Sequence, residues 1–195
     1  MTSRINDDPI LSELYRCHGS SERPVAFLHI FAEKVEGFRE RGRRLWPYVA
    51  EVWSGFDAIP HRAYAAIFSH FRWGWSADCM EPEARRFYDS LPPIVTLYRG
   101  ANRDSGKGLS WTLDLETAKG FAQGHRMLFN PHPTIFTARV RKSSIAFCCV
   151  DREESECVLF RPPRNLALQD TAPHPWVIAA KAEAGAAPLH GGAND

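Results

Sequence analysis

The sequence of 195 residues predicts an α+β fold, and three observations carry that prediction. Apolar residues recur at helical spacing from residue 24 to about residue 91. A double proline, Pro92-Pro93, closes that stretch. Beyond it lie short segments rich in β-branched and aromatic residues, with one helical segment among them. The organisation expected is a helical region over 1–91, an α+β core over 92–170 and a flexible tail over 171–195.

In chain order, Leu28, Phe31, Val35, Phe38 and Leu45 fall on one stripe at spacings of three, four and seven, as an amphipathic helix requires. Pro47 ends that helix or opens the next, which carries Val49, Val52 and Trp53. Tyr64, Ile67, Phe68 and Phe71 form a further stripe. Ala84, Phe87, Tyr88 and Leu91 form another, with Pro82 in its first turn. Leu91 precedes a proline and so avoids the helical region, which stops the helix there. The strands expected are 94–100, 108–113, 133–141, 144–150 and 156–160. A helix lies between the second and third of these, its first turn marked by Asp114 and Glu116. The Gly-containing loop at 103–108 is expected to connect a hairpin. After 161 the chain turns to Arg-Pro-Pro, and from about 171 it is rich in Ala, Gly and Pro, a composition that does not sustain its own packing.

Composition narrows the function classes. The chain is 44% hydrophobic and 24% charged, with twelve Phe and six Trp, which suits one globular domain with an extension. A formal net charge of +1 supplies no global field toward nucleic acid or a membrane surface. The basic run at 39–45 reads as a solvated helix face. No run of eighteen apolar residues occurs, and the N-terminus has no apolar signal segment. Five cysteines without a C-x-x-C pair suggest a reducing, cytoplasmic setting with no disulfide framework. The eight histidines show no metal-ligand spacing, so no metal is expected.

Polar residues stand where the strands begin and end. Arg99 and Gly100 close the first strand. Ser110 and Thr112 are two apart on the second, so they share a face and Trp111 takes the other. Glu154 and Glu156 are two apart at the entry to the last strand. If that entry is extended, two carboxylates point the same way, and their mutual repulsion does nothing for the strand.

An Arg, then Ser-x-Thr followed by Ala-Lys-Gly-Phe-Ala, then Glu-x-Glu leading into an apolar strand resembles the arginine–serine–glutamate class of mono-ADP-ribosyltransferases. The resemblance covers roughly residues 94–160, and Trp111 departs from it, being bulkier than the small residue common between the two hydroxyls. It implies a sheet core around an NAD cleft, with NAD as substrate and a protein acceptor. Glu156 would be the catalytic carboxylate, Ser110 would orient Glu156 and the ribose, and Thr112 would hold the strand pair. Arg99 would engage a ribose or phosphate of NAD through its fork of donors. Gly100 would let the backbone approach the nicotinamide amide, and Phe121 would lie near the nicotinamide or pack in the core. Arg103 or Lys107 would be within reach of the pyrophosphate.

The chemistry accounts for these residue types. Nicotinamide leaves NAD as a neutral molecule, so no general acid is required, while positive charge develops at the anomeric carbon. A carboxylate placed there stabilises that charge. A protonated arginine is a poor nucleophile, and a second carboxylate, Glu154, would orient it and take up its proton. Such enzymes serve as toxins, phage-encoded modifiers of host proteins or metabolic switches. The alternatives are an NAD glycohydrolase, a transferase acting on nucleic acid, or a degenerate scaffold whose helical half binds a protein.

Overall fold

Asp8 starts the first helix. Its carboxylate accepts the N–H groups of Ile10 (2.9 Å) and Leu11 (3.1 Å), and Pro9 takes the first helical position. The computed structural model describes residues 7–124, 130, 132–150 and 155–170. Helix α1 (Pro9–Cys17) buries Ile10, Leu11 and Leu14. It lies before the first helix expected from spacing, although Ile10, Leu11 and Leu14 stand at helical intervals.

The stripe from Leu28 to Leu45 is two helices rather than one. Helix α2 (Arg23–Lys34) ends at Val35, the chain turns through Gly37 at φ +80°, and α3 (Phe38–Val52) follows. Arg41 bridges the break by donating to the carbonyls of Val35 and Ala32, both at 2.7 Å. One member of the basic run is thus a helix cap, and Phe38 is exposed rather than buried. Pro47 neither ends nor starts a helix. It lies inside α3, where Leu45, Trp46, Val49 and Val52 are buried on both sides of it. Burial of four large side chains, each worth about 1.5–3 kcal/mol, outweighs the roughly 3 kcal/mol cost of an internal proline. A short turn (Trp53–Gly55), α4 (His61–His70) and α5 (Pro82–Ser90) complete the helical half. Leu91 is extended and stops α5, as the proline after it requires.

The strands are β1 (Ile94–Asn102), β2 (Ser110–Thr112), β3 (Pro133–Arg141), β4 (Ile145–Cys149), β5 (Glu156–Leu159) and β6 (Ala167–Asp170), with α6 (Leu115–Ala122) between β2 and β3. They form one six-stranded sheet in the order β4-β5-β2-β1-β3-β6, with every pairing antiparallel. The expected α+β class is therefore borne out, and 103–108 does join two consecutive antiparallel strands. Strand β6 is not among the strands expected from the sequence: it is short, its Leu168 is 54% exposed, and it pairs with the edge of β3.

One hydrophobic cluster runs through both halves. It takes in Leu14 and Phe27, passes through Trp46, Trp53 and Phe68, and continues into Phe147, Val158 and Phe160 of the sheet half. The Trp46 ring lies 5.4 Å from Phe160, and the Trp75 indole N–H donates to the Ala146 carbonyl at 2.6 Å. Among the described residues no helix is long and apolar enough to cross a membrane. The expected tail, 171–195, lies outside the described residues.

Candidate active site

The strand order sets β1, β2 and β5 side by side, and these are the three strands that carry Arg99, Ser110 and Glu156. Ser110 pairs with Val158 and Thr112 with Glu156. Residues directly opposed in an antiparallel ladder share a face, and alternate residues along a strand do too. Ser110, Thr112 and Glu156 thus stand on one face. Trp111 pairs with Cys157 on the other, 2% exposed, its indole N–H donating to the Gly108 carbonyl at 3.0 Å. Its bulk packs behind the strand.

The helical half meets this face through Trp53. Its indole Nε1–H lies 3.1 Å from Ser110 Oγ and 3.1 Å from Glu156 Oε1, one donor shared by two oxygens. The ring is 1% exposed and locked among Phe56, Tyr64, Phe68 and Phe147, with centroids 5.2–6.0 Å away. Ser110 and Glu156 themselves are partly exposed. The pair is open toward solvent and held from beneath.

Arg99 is turned inward. The residue is partly exposed along its length, but its Nε is sealed from solvent and has no hydrogen-bond partner. Nη1 donates to the Ser110 carbonyl at 2.9 Å. The guanidinium lies against Gly108, where an added Cβ would come within 2.2 Å of its Cζ. Burial lowers the Arg99 pKa to about 10, and the charge of Glu156 opposes that shift. Arg99 stays cationic at neutral pH, and its fork is largely engaged within the chain.

His61, at the start of α4, faces the same guanidinium. Leu109 N–H donates to its Nδ1 at 3.2 Å, and Arg99 Nη2 lies 3.3 Å from its Nε2. A neutral imidazole has one acceptor nitrogen for these two donors. A protonated ring would have none and would sit beside a cation. Burial first, and Arg99 second, push its pKa down to about 3, so the ring is neutral.

The remaining expected residues divide. Thr112 is buried at 6% exposure, and its Oγ1 accepts the Asp114 N–H at 3.0 Å. It shapes the exit from β2 into α6, whose N-terminus Asp114 caps by accepting from Glu116 (3.0 Å) and Thr117 (3.1 Å). Gly100 is needed for packing: a Cβ there would come 1.8 Å from the Ala118 carbonyl oxygen, so the space it leaves is taken by α6. Phe121 is 37% exposed on α6, which removes it from the core. Lys107 is exposed in the β1–β2 loop. Glu154 lies outside the described residues.

No family model, curated protein or solved structure matches this chain. The site is therefore read from its own geometry. Trp53 and His61 are the residues that sequence reasoning missed. Trp53 is 57 positions from Ser110 and 103 from Glu156, while His61 is 38 from Arg99. Trp53 reads as a core aromatic, and it is one. Only its indole N–H, which a buried tryptophan must satisfy, hinted at a polar neighbour.

Proposed function

We propose that this chain is a mono-ADP-ribosyltransferase. It cleaves the bond between nicotinamide and ribose in NAD and transfers ADP-ribose to a protein acceptor, an arginine. The observation that carries the reading is the meeting of Ser110 and Glu156 on one partly exposed face, with Arg99 on the adjoining strand. In the reaction the C–N bond breaks and its electron pair leaves with neutral nicotinamide. The Glu156 carboxylate stabilises the positive charge at the anomeric carbon. The acceptor nitrogen then bonds that carbon and gives up a proton, the role assigned to Glu154. Donors outnumber acceptors around Arg99, since Nε is unpartnered and His61 cannot satisfy both of its neighbours. For phosphate or ribose oxygens of NAD to complete that set, the sealed guanidinium would have to turn outward.

The inward turn of Arg99 also favours a second reading, a degenerate transferase scaffold that binds a protein. Nicotinamide release separates the two. The wild-type protein is expected to release nicotinamide from NAD, and Glu156→Gln to lower that rate about 100- to 1,000-fold, the scale seen when one transition-state partner is removed. Equal rates in two folded proteins would sink the transferase reading. Labelled NAD with candidate acceptors then distinguishes protein transfer from hydrolysis or transfer to nucleic acid.

A further inference from the structure

We infer that Trp53 is a positioning residue for Glu156, supplied to the sheet by the helical half. This rests on the transferase reading above. An indole has one donor and no acceptor. Here that donor is buried, and it lies 3.1 Å from both Ser110 Oγ and Glu156 Oε1. The two oxygens belong to different strands, so a single N–H ties β2 to β5 at the point where the chemistry would occur. The contact narrows the set of rotamers open to a carboxylate on a strand end. Trp53 itself cannot move, because four aromatic rings surround it and its backbone carbonyl accepts the Phe56 N–H at 3.0 Å. Rigid support of a reacting carboxylate is what transition-state stabilisation needs, since a displacement near 1 Å costs on the order of 100-fold in rate. Trp53 touches neither substrate nor reacting atoms, and its effect passes entirely through Glu156 and Ser110.

The test removes the N–H and keeps the ring. Trp53→Phe does so with some loss of volume. Benzothienylalanine at position 53 does so at nearly constant shape, with sulfur in place of N–H. The benzothienylalanine variant is expected to melt close to the wild type and Trp53→Phe lower, through the cavity it leaves. Both should keep KM for NAD within about threefold, while kcat for nicotinamide release falls on the order of 10- to 100-fold. A readout independent of turnover accompanies this. The Trp53 indole N–H resonance, assigned by its loss in Trp53→Phe, should follow the titration of a carboxylate and cease to do so in Glu156→Gln. An active wild type with unchanged kcat in the benzothienylalanine protein overturns the role of Trp53 and leaves the transferase reading standing. So does an indole resonance indifferent to Glu156→Gln. A wild type that releases no nicotinamide overturns the transferase reading, and the role of Trp53 with it.

Discussion

Arg99 and His61 face each other at 3.3 Å, and burial, with Arg99 second, holds His61 neutral. Folded His61 has its pKa near 3, against about 6.5 in the unfolded chain. Between those values the unfolded state binds the extra proton, so stability rises with pH across that window and is lost as pH falls below about 6.5. From pH 7 to pH 5 the loss from this one group is on the order of 2 kcal/mol. Denaturant titrations of wild type and His61→Asn at the two pH values check this. The variant should lose about 2 kcal/mol less than the wild type, and equal losses would show that His61 does not titrate in this way. Arg99 carries a second prediction. A surface arginine would tolerate lysine, but this one spans to the Ser110 carbonyl and lies against Gly108. Arg99→Lys keeps the charge and loses the fork, and it should lower unfolding free energy by about 1–3 kcal/mol. An unchanged denaturation midpoint would contradict the buried placement.

Gly100 decides the packing of α6 on β1, and Gly120 is its opposite in character. Gly100 sits under the helix, where a Cβ would come 1.8 Å from the Ala118 oxygen and 2.4 Å from the Ala122 nitrogen. Gly120 lies within α6, where a Cβ would meet nothing within 4 Å. Gly100→Ala is expected to destabilise by about 3 kcal/mol through overpacking. Gly120→Ala should stabilise by roughly 0.5–1 kcal/mol, because alanine loses less backbone freedom in a helix than glycine does. Chemical denaturation of both proteins tests the pair, and the same sign for both would refute this placement of the helix. The short run Asp114 to Ala122 also ties the site to its support, since Thr112 and Asp114 set the turn that leads from β2 into α6.

The helical half and the sheet share one core, in which Trp53 and Phe68 pack against Phe147. Separating them would expose Phe147, Val158 and Phe160 on the sheet side, none of which is more than 7% exposed in the whole chain. A chain of residues 92–195 is therefore expected to remain unfolded or aggregate, because small domains have only a narrow margin of stability. The full chain should unfold in one cooperative transition followed alike by fluorescence and circular dichroism. A soluble 92–195 fragment with dispersed amide resonances would show that the sheet half stands alone.

Local chemistry makes much of this molecule legible in its sequence. Pro82 and the Leu91-Pro92 junction bound α5, and β-branched runs mark five of the six strands, because backbone sterics and side-chain periodicity act over a few residues. The alternation Ser110-Trp111-Thr112 assigns its faces correctly for the same reason. The features that sequence leaves open lie where long-range burial outweighs a local rule. Pro47 stays inside α3 because the residues around it are buried, and β6 forms because β3 offers it an edge. The site shows the division most clearly. Residue type and spacing on the strands determined Arg99, Ser110 and Glu156 as candidates. Only the tertiary structure could decide that Arg99 turns inward and that Trp53 and His61 stand against the three, because those contacts join residues 38 to 103 positions apart and depend on how a helical half closes on a sheet.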